Sequence, residues 1–366
     1  VSGACDEATK ALTRLRTYEL DLSSQKAPTR PPGVDANAVL TVLRVPPEYE
    51  GMRLDRFVQS QLKRTSRTRA QVILGKSAFA PDGRPHRSSD RVRAEQWICL
   101  WRPPWDEANT DVELPILFED ADLCAVDKPP MIPVHPTARY FRSTVVKILA
   151  TLRPEERFYL AHRLDRETSG VLLLSKTKEA DRHVKKQFAG LHPETGRPTG
   201  VRYVEKRYVA ITRGEPSQDS FTVDVPLEPD DSSGLRVKMR TTSTGGQEAT
   251  TICTVLERRR SASSGERFAV VACDLLTGRQ HQIRVHLASV GLPLVGDKLY
   301  GADDDVFRRG ADGTLTAEDR ARLGLERHAL HAQRLSLLHP ATGERTTIES
   351  PLPADLARFL GTLDPA

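Results

Sequence analysis

The sequence predicts an α+β fold built on a mixed, largely antiparallel sheet with flanking helices. Three observations point to it. Four strand-like runs, KRYVAIT, FTVDVPL, EATTICTVLE and FAVVACDLL, follow one another between Lys206 and Leu276 with only turn-rich or charged segments between them. Upstream, the apolar run Val171 to Leu174, bounded by Gly170 and by Ser175-Lys176, reads as a fully buried strand. Before all of these comes a small basic unit with two helical patterns and one strand, which predicts a separate α/β domain.

Residues 1 to about 45 start with a short helical pattern and turn polar and Pro-rich (SSQKAPTRPPG), so 1–45 is expected to be a flexible extension. The unit at 46–104 follows. Leu54, Phe57, Val58 and Leu62 share a helical face. SRTRAQVILGK supplies a second helix with Ser66 as N-cap and Gly75 near its end, and WICLW is a strand closed by Arg102-Pro103-Pro104. A large domain is expected over 117–366. ADLCAVDKP is a strand stopped by proline, Ser143 to Leu152 an amphipathic helix, Lys178 to Phe188 another, and Arg279 to Ser289 a third. Residues 190–203 form a Gly/Pro-rich excursion and 302–326 a polar, acidic surface insertion.

Composition narrows the function classes. The 366 residues are 38% hydrophobic and 28% charged, with a formal net charge of +5. The charge is uneven: Gly51 to Pro104 holds 12 Lys/Arg against 4 Asp/Glu, a net +8, which leaves −3 for the rest. Such concentration suits an anionic partner, nucleic acid above all. Cys5, Cys99, Cys124, Cys253 and Cys273 show no metal-binding or disulfide spacing, and the last four lie in apolar strand-like runs. No run of eighteen apolar residues and no signal-like apolar core is present, so a cytoplasmic protein is expected.

The chemistry concentrates in His162 to Thr177, HRLDRETSGVLLLSKT. A polar loop carries Asp165 between Arg163 and Arg166 and runs straight into the apolar strand. Nearby cations favour an ionised carboxylate, which suits a nucleophile or a structural ion pair. The residues alone leave both open. HRLDRETSG resembles the catalytic motif of RluA-type pseudouridine synthases. TGRQHQIRVHLASVGLPLVGDKLY, from Thr277, resembles a second motif of that family, and LHAQRLSLLHPATGE, from Leu330, its closing strand. GMRLDRF followed by SRTRAQVILGK resembles the small RNA-binding domain first described in a protein of the small ribosomal subunit. Departures exist. SAFAPDGRPH replaces a short strand and tight turn, Ala94-Glu95 stands for Gly-Asp, and Met131 stands where a glycine is usual.

The resemblance implies a long bent sheet with a central RNA cleft, and an isomerase that converts uridine in RNA to pseudouridine. The reaction breaks the bond from uracil to ribose and remakes it through C5, with nothing oxidised and no group gained or lost. No cofactor or metal is then expected. A nucleophile is needed, at the anomeric carbon or at C6, and a carboxylate can serve. The target base has to leave its stack. The resemblance assigns Asp165 as nucleophile, Arg284 as its partner, Tyr208 as the residue stacked on the base, and Arg163 as the group that enters the vacated stack. It assigns Arg53, Arg67, Arg69 and Lys76 to RNA phosphates. His162, His281 and His286 are expected to be structural, and Lys128 either lines the RNA face or is solvated. The expected partner is RNA, ribosomal RNA of the large subunit ahead of tRNA, with no membrane or metal and with the chain acting as a monomer. Two other classes stay open: a catalytically silent RNA-binding protein of the same fold, and a hydrolase using Asp165, for which no second carboxylate stands out.

Overall fold

The computed structural model describes residues 28–35, 38–62, 66–102, 112–137, 140, 142–235 and 237–366. The helical pattern expected near the N-terminus lies outside them. The chain divides into two compact units, Val1–Asp106 and Glu107–Ala366.

In the first unit, β1 (Val39–Arg44), α1 (Leu54–Gln61), α2 (Arg67–Ser77), β2 (Ala78–Phe79) and β3 (Trp97–Arg102) follow in order. The strands pair antiparallel as β1-β3-β2, so Val39–Arg44, expected within the flexible extension 1–45, is a strand of this unit because its backbone pairs with β3. Leu54, Phe57 and Val58 of α1 pack with Ala70 and Leu74 of α2 against Ile98 and Leu100 of β3. That is the apolar stripe the helical spacing predicts. The Ser66 hydroxyl accepts from the Arg69 amide at 3.2 Å, satisfying one of the donors a helix start leaves open.

The second unit contains β4 (Ile116–Glu119), β5 (Leu123–Lys128), α3 (Val145–Leu152), β6 (Tyr159–Leu160), β7 (Ser169–Ser175), α4 (Lys178–Phe188), β8 (Glu205–Arg213), β9 (Ser220–Asp224), β10 (Leu227–Pro229) and β11 (Met239–Thr241). After them come β12 (Thr250–Arg260), β13 (Arg267–Leu275), α5 (Gln282–Ser289), α6 (Asp304–Asp312), α7 (Ala317–Leu323), β14 (Leu330–Leu338), β15 (Arg345–Glu349), α8 (Ala354–Gly361) and β16 (Asp364–Pro365). Eleven strands form one sheet with the path β16-β12-β13-β8-β14-β7-β5-β4, while β10 and β11 pair apart from it. The β7–β14 pairing is parallel, and the other described pairings are antiparallel. The α+β class and the mixed, largely antiparallel sheet are as the sequence predicts.

Strand β7 is buried along its whole length. Leu172 and Leu174 pack with Cys124, Val126 and α3 on one face; Val171 and Leu173 pack with Leu123, Ala125 and Val184 of α4 on the other. A strand covered on both faces needs an unbroken apolar run. Each such side chain contributes about 1.5–3 kcal/mol by burial. At the parallel junction Ser169 and Gly170 pair with His331 and Ala332. Gly170 has φ +108, and a Cβ there would lie 2.2 Å from the Ala332 carbonyl oxygen, so only glycine lets β7 lie against β14.

Several boundaries differ from the sequence reading. FTVDVPL is two strands, broken after Asp224 and resumed at Leu227 past Pro226, which has no N–H to give a ladder. Helix α5 starts at Gln282, not Arg279, because His281 takes the left-handed conformation at φ 58 and can only cap it. Residues 302–326, expected as a polar surface insertion, carry α6 and α7. Met131 sits at φ 69, the conformation for which glycine is usual.

Candidate active site

Asp165 lies in the loop that delivers the chain into β7, with its main-chain oxygen accepting from the Thr168 amide at 3.1 Å. His162 anchors the start of this loop. Its Nε2 accepts the Leu173 N–H at 2.9 Å and its ring stacks on Phe188, so it is structural, as expected. Burial, with the charge of Lys206, holds its pKa down at about 3, so the ring is neutral.

The cation that meets Asp165 comes from more than a hundred residues away. Arg284, on α5, donates from Nη1 to Asp165 Oδ2 at 2.9 Å. The two flanking arginines do not contact the Asp165 carboxylate. Arg166 donates to Tyr140 Oη at 2.6 Å and to Glu167 at 3.0 Å, while Arg163 is exposed, 3.5 Å from His135 Nε2. Arg284 is itself held by a second carboxylate. Its Nε and Nη2 donate to Asp297 Oδ2 and Oδ1 at 2.7 and 2.9 Å, a planar bidentate pair. Asp297 also accepts the amides of Leu299 at 2.8 Å and Tyr300 at 3.1 Å. The loop carrying Asp297 turns at Gly296, where φ is +74 and a Cβ would lie 2.0 Å from the Arg327 carbonyl oxygen.

The geometry fixes the charges. The Arg284 side chain is 8% exposed and that of Asp297 fully buried, whereas Asp165 keeps 29% exposure. Burial alone would raise the Asp165 pKa. The charges of His281, Arg284 and His328 and the Arg284 hydrogen bond outweigh it, and the carboxyl is held at about 2. Burial lowers the pKa of His281 and brings that of His328 to about 3, so Arg284 is the cation that acts at neutral pH. Asp297 lies well below the carboxylate range for the same reason: burial opposes ionisation, and Arg284 overcomes it.

Tyr208, on β8, packs half-buried between the core beside α3 and the core beneath α5. Burial and the charge of Asp165 push its phenol well above the usual range, so it stays protonated at neutral pH. Asp165, Arg284 and Tyr208 thus come together from β7's loop, α5 and β8. Arg53 and Arg67 sit in the first unit, bonded to Asp55; Arg69 and Lys76 are exposed on α2.

Several neighbours carried no warning in the sequence. His281 Nε2 lies 3.9 Å from Asp165 Oδ2, and its Nδ1 is 2.8 Å from Tyr300 Oη. Lys128 is not solvated, which corrects one of its two expected alternatives. It is fully buried, and its Nζ donates to the carbonyls of Pro129, Ile132 and Arg166 at 2.9, 2.8 and 3.1 Å. Burial pulls its pKa down to about 7 while the charge of Asp165 opposes, and three carbonyl acceptors match the three protons of the ammonium form. Glu167 ties Lys298 at 3.1 Å and the His328 amide at 3.1 Å under the same loop. Asp297 lies inside the quoted GDKLY stretch, but only the fold reveals that it braces Arg284.

A family model described as RNA pseudouridylate synthase matches residues 122–289, which include both the aspartate loop and α5. The chain is 32% identical to ribosomal large subunit pseudouridine synthase D of Xanthomonas campestris pv. campestris over 87% of its own length and 91% of that protein. It is also 32% identical to the protein of the same name from Nitrosomonas europaea, over 92% of each chain. Among solved structures it is similar to human RNA pseudouridylate synthase domain containing 1, at 25% identity and a TM-score of 0.52, with 71% of this chain and 91% of that one covered. Among the described residues no helix is long and apolar enough to cross a membrane. Similarity of this extent, along a chain that sets an ionised aspartate against a braced arginine, makes it a member of the RNA pseudouridylate synthase family, an isomerase of RluA type that acts on RNA.

Proposed function

We propose that the chain isomerises specific uridines of large-subunit ribosomal RNA, with Asp165 as nucleophile on a flipped-out base. The observation that carries this is the half-open carboxylate: Asp165 is 29% exposed, while its partner Arg284 is almost fully buried and fixed on Asp297. The nucleophile is therefore ionised and oriented before RNA arrives, and its accessible side can attack C1′ or C6. Attack at C1′ breaks the glycosidic bond and forms an ester to Asp165, and the rotated uracil then displaces the carboxylate through C5. Attack at C6 adds the carboxylate across the C5=C6 bond instead; the N1–C1′ bond then breaks, the base turns while held by the ester, C5 bonds C1′, and the carboxylate leaves C6. Either route ends with loss of the C5 proton and return of a free carboxylate. Tyr208, protonated and wedged between two cores, stacks on the base. Arg163, exposed two residues before Asp165, enters the space the base leaves.

The names of the curated relatives support ribosomal RNA of the large subunit as the target. In this reading residues 46–104 form an RNA-binding domain and 117–366 the catalytic domain. The test maps pseudouridine in RNA from cells with and without the gene, complemented by the wild type or by Asp165→Asn. Loss of one or a few ribosomal pseudouridines, restored only by the wild type, is expected. An unchanged map, or full rescue by Asp165→Asn, overturns the reading.

A further inference from the structure

Three cations gather around the turn between β13 and α5; the cavity that Arg202 and Lys206 line is also lined by Glu205 and Asp274. Arg202 donates from Nη1 to the Leu275 carbonyl at 3.4 Å. Lys206, on β8 two residues before Tyr208, donates to the Thr277 carbonyl at 3.3 Å. Arg279 donates from Nε to the Glu248 carbonyl at 2.9 Å. Each is tethered by a main-chain oxygen, and none makes an ion pair among the described residues. The carboxylates on the neighbouring strand positions are already taken: Asp274 by Arg207 at 2.9 and 2.7 Å, Glu205 by Arg345 at 3.4 Å.

A Cβ at Gly278 would lie 2.9 Å from Lys206 Nζ, which places the ammonium against the turn. Lys206 is half-buried, while Arg202 and Arg279 are exposed beside it. Burial, then the charges of Arg202 and Arg279, pull the Lys206 pKa down to about 8. Holding three like charges together costs free energy in the resting protein, and an anion would relieve it.

We propose that Lys206, Arg202 and Arg279 form a subsite for a backbone phosphate of the RNA strand that carries the target uridine. A carbonyl tether fixes each cation and leaves its other donors for phosphate oxygens. The position of Lys206 on Tyr208's own strand puts the phosphate beside the base-stacking residue. The subsite holds the strand in register while the base turns out. This rests on the reading of Asp165 and Tyr208 as the site of reaction.

The test uses the full chain and an unmodified ribosomal RNA transcript containing the site mapped above. Affinity is measured across salt concentrations, and single-turnover pseudouridine formation at saturating RNA. The variants are Lys206→Met, Lys206→Arg and the exposed pair Arg202→Gln/Arg279→Gln, which leaves the buried position untouched. Loss of one phosphate contact should flatten the slope of log affinity against log salt by about 0.7–0.9 and weaken binding about tenfold. Lys206→Arg should restore the slope. A transcript with a neutral methylphosphonate at the contacted position should weaken the wild type and leave Lys206→Met indifferent. Unchanged slopes in both Lys206→Met and the exposed pair, with wild-type turnover intact, would overturn the subsite alone. Loss of inorganic phosphate binding in the variants with no change towards RNA would also overturn it, by assigning the cluster to a free anion. A wild type that binds with the expected slope but never isomerises the uridine would refute the catalytic reading and not this one.

Discussion

The two units each set an aspartate against arginine, and the difference between the two clusters separates scaffold from chemistry. Asp55, in α1, has no exposed surface on its side chain. Its Oδ1 accepts from Arg53 Nε at 3.2 Å, and its Oδ2 accepts from Arg53 Nη2, Arg67 Nε and Gln71 at 3.1, 3.1 and 2.9 Å. The Arg53 hydrogen bond, against burial, holds its pKa well below the usual range. Asp165 receives one side-chain hydrogen bond, on Oδ2, and no hydrogen bond reaches its Oδ1 among the described residues. Both carboxylates are ionised. Only one has an oxygen left for a substrate. Ionisation alone is therefore no sign of catalysis, whereas ionisation with an unspent oxygen at a partly open position is.

Exchanging each carboxylate for its amide breaks that comparison most sharply. Asp165→Asn removes the nucleophile with little change in shape, and single-turnover pseudouridine formation should fall about a thousandfold or more with RNA affinity kept. Asp55→Asn should leave the chemical step near the wild-type rate while lowering the stability of the first unit by roughly 1–3 kcal/mol, read by denaturant titration. Turnover by Asp165→Asn, or abolished chemistry in a folded Asp55→Asn protein, would erase the distinction drawn here.

Arg284 should show the next largest effect, because it serves two carboxylates. Arg284→Ala leaves Asp297 buried and unpaired, which costs about 3–5 kcal/mol where a buried pair is broken. Arg284→Lys keeps the charge but cannot bond Asp297 bidentately and Asp165 together. Both should lose chemistry, and Lys should recover more stability than rate. Asp297→Asn isolates the bracing: if Asp297 acts through Arg284, the rate at saturating RNA falls and affinity does not. Equal recovery of stability and rate by Lys would mean the fork geometry is not needed.

What was legible in the sequence follows the range of the interactions. Strand β7 was readable because burial on both faces demands four consecutive apolar residues, and the Ser66 cap because capping is local. Asp165 and Arg284 were identified by resemblance, not by spacing; on the residues alone a nucleophile and an ion pair with Arg163 and Arg166 were both open, and the carboxylate bonds neither arginine. Lys128 could not be read as buried, since the carbonyls that receive it come from Pro129, Ile132 and Arg166, and 38 residues separate the donor from the last of these. Asp297 and His281 were silent for the same reason. A loop residue that braces an arginine thirteen positions back, and a left-handed helix cap, leave no periodic trace.

Acid should act through the Asp165–Arg284–Asp297 cluster with a defined sign. The Asp165 pKa falls from the usual 3.8 to about 2 on folding, so its ionised form contributes stability that is full above about pH 4. That contribution is lost as pH falls through about 2, and Asp297 acts in the same direction. The buried neutral histidines His162 and His328, whose pKa values are brought from 6.5 to about 3, should make denaturant midpoints fall from about pH 6.5 downward, and the aspartates should add a further loss below about pH 4. Asp165→Asn should flatten part of the drop. The share of the Asp165 charge is the difference between wild type and Asp165→Asn, expected to shrink only below about pH 4; a difference as large at pH 2 as at pH 6 would mean that this charge does not set the acid response.

The smallest effect is expected in the first unit, at the residues that Asp55 does not hold. Arg69 and Lys76 are exposed on α2 and make no ion pair among the described residues, whereas Arg53 and Arg67 are engaged with Asp55. If the unit contacts RNA phosphates, the unpaired cations can bind at full charge, and those shared with Asp55 contribute less because part of their field is already spent. Arg69→Gln with Lys76→Gln should then weaken RNA affinity a few-fold and flatten the salt slope by about 1–2, since each lost phosphate contact removes about 0.9. Stability and the saturated rate should not move. Arg53→Gln or Arg67→Gln should instead lower stability with less change in slope. The measurement is RNA affinity from 50 to about 200 mM salt for both sets, beside their denaturation curves. A slope that follows Arg53 and Arg67 more than Arg69 and Lys76 would mean that Asp55 presents its arginines to RNA rather than withholding them.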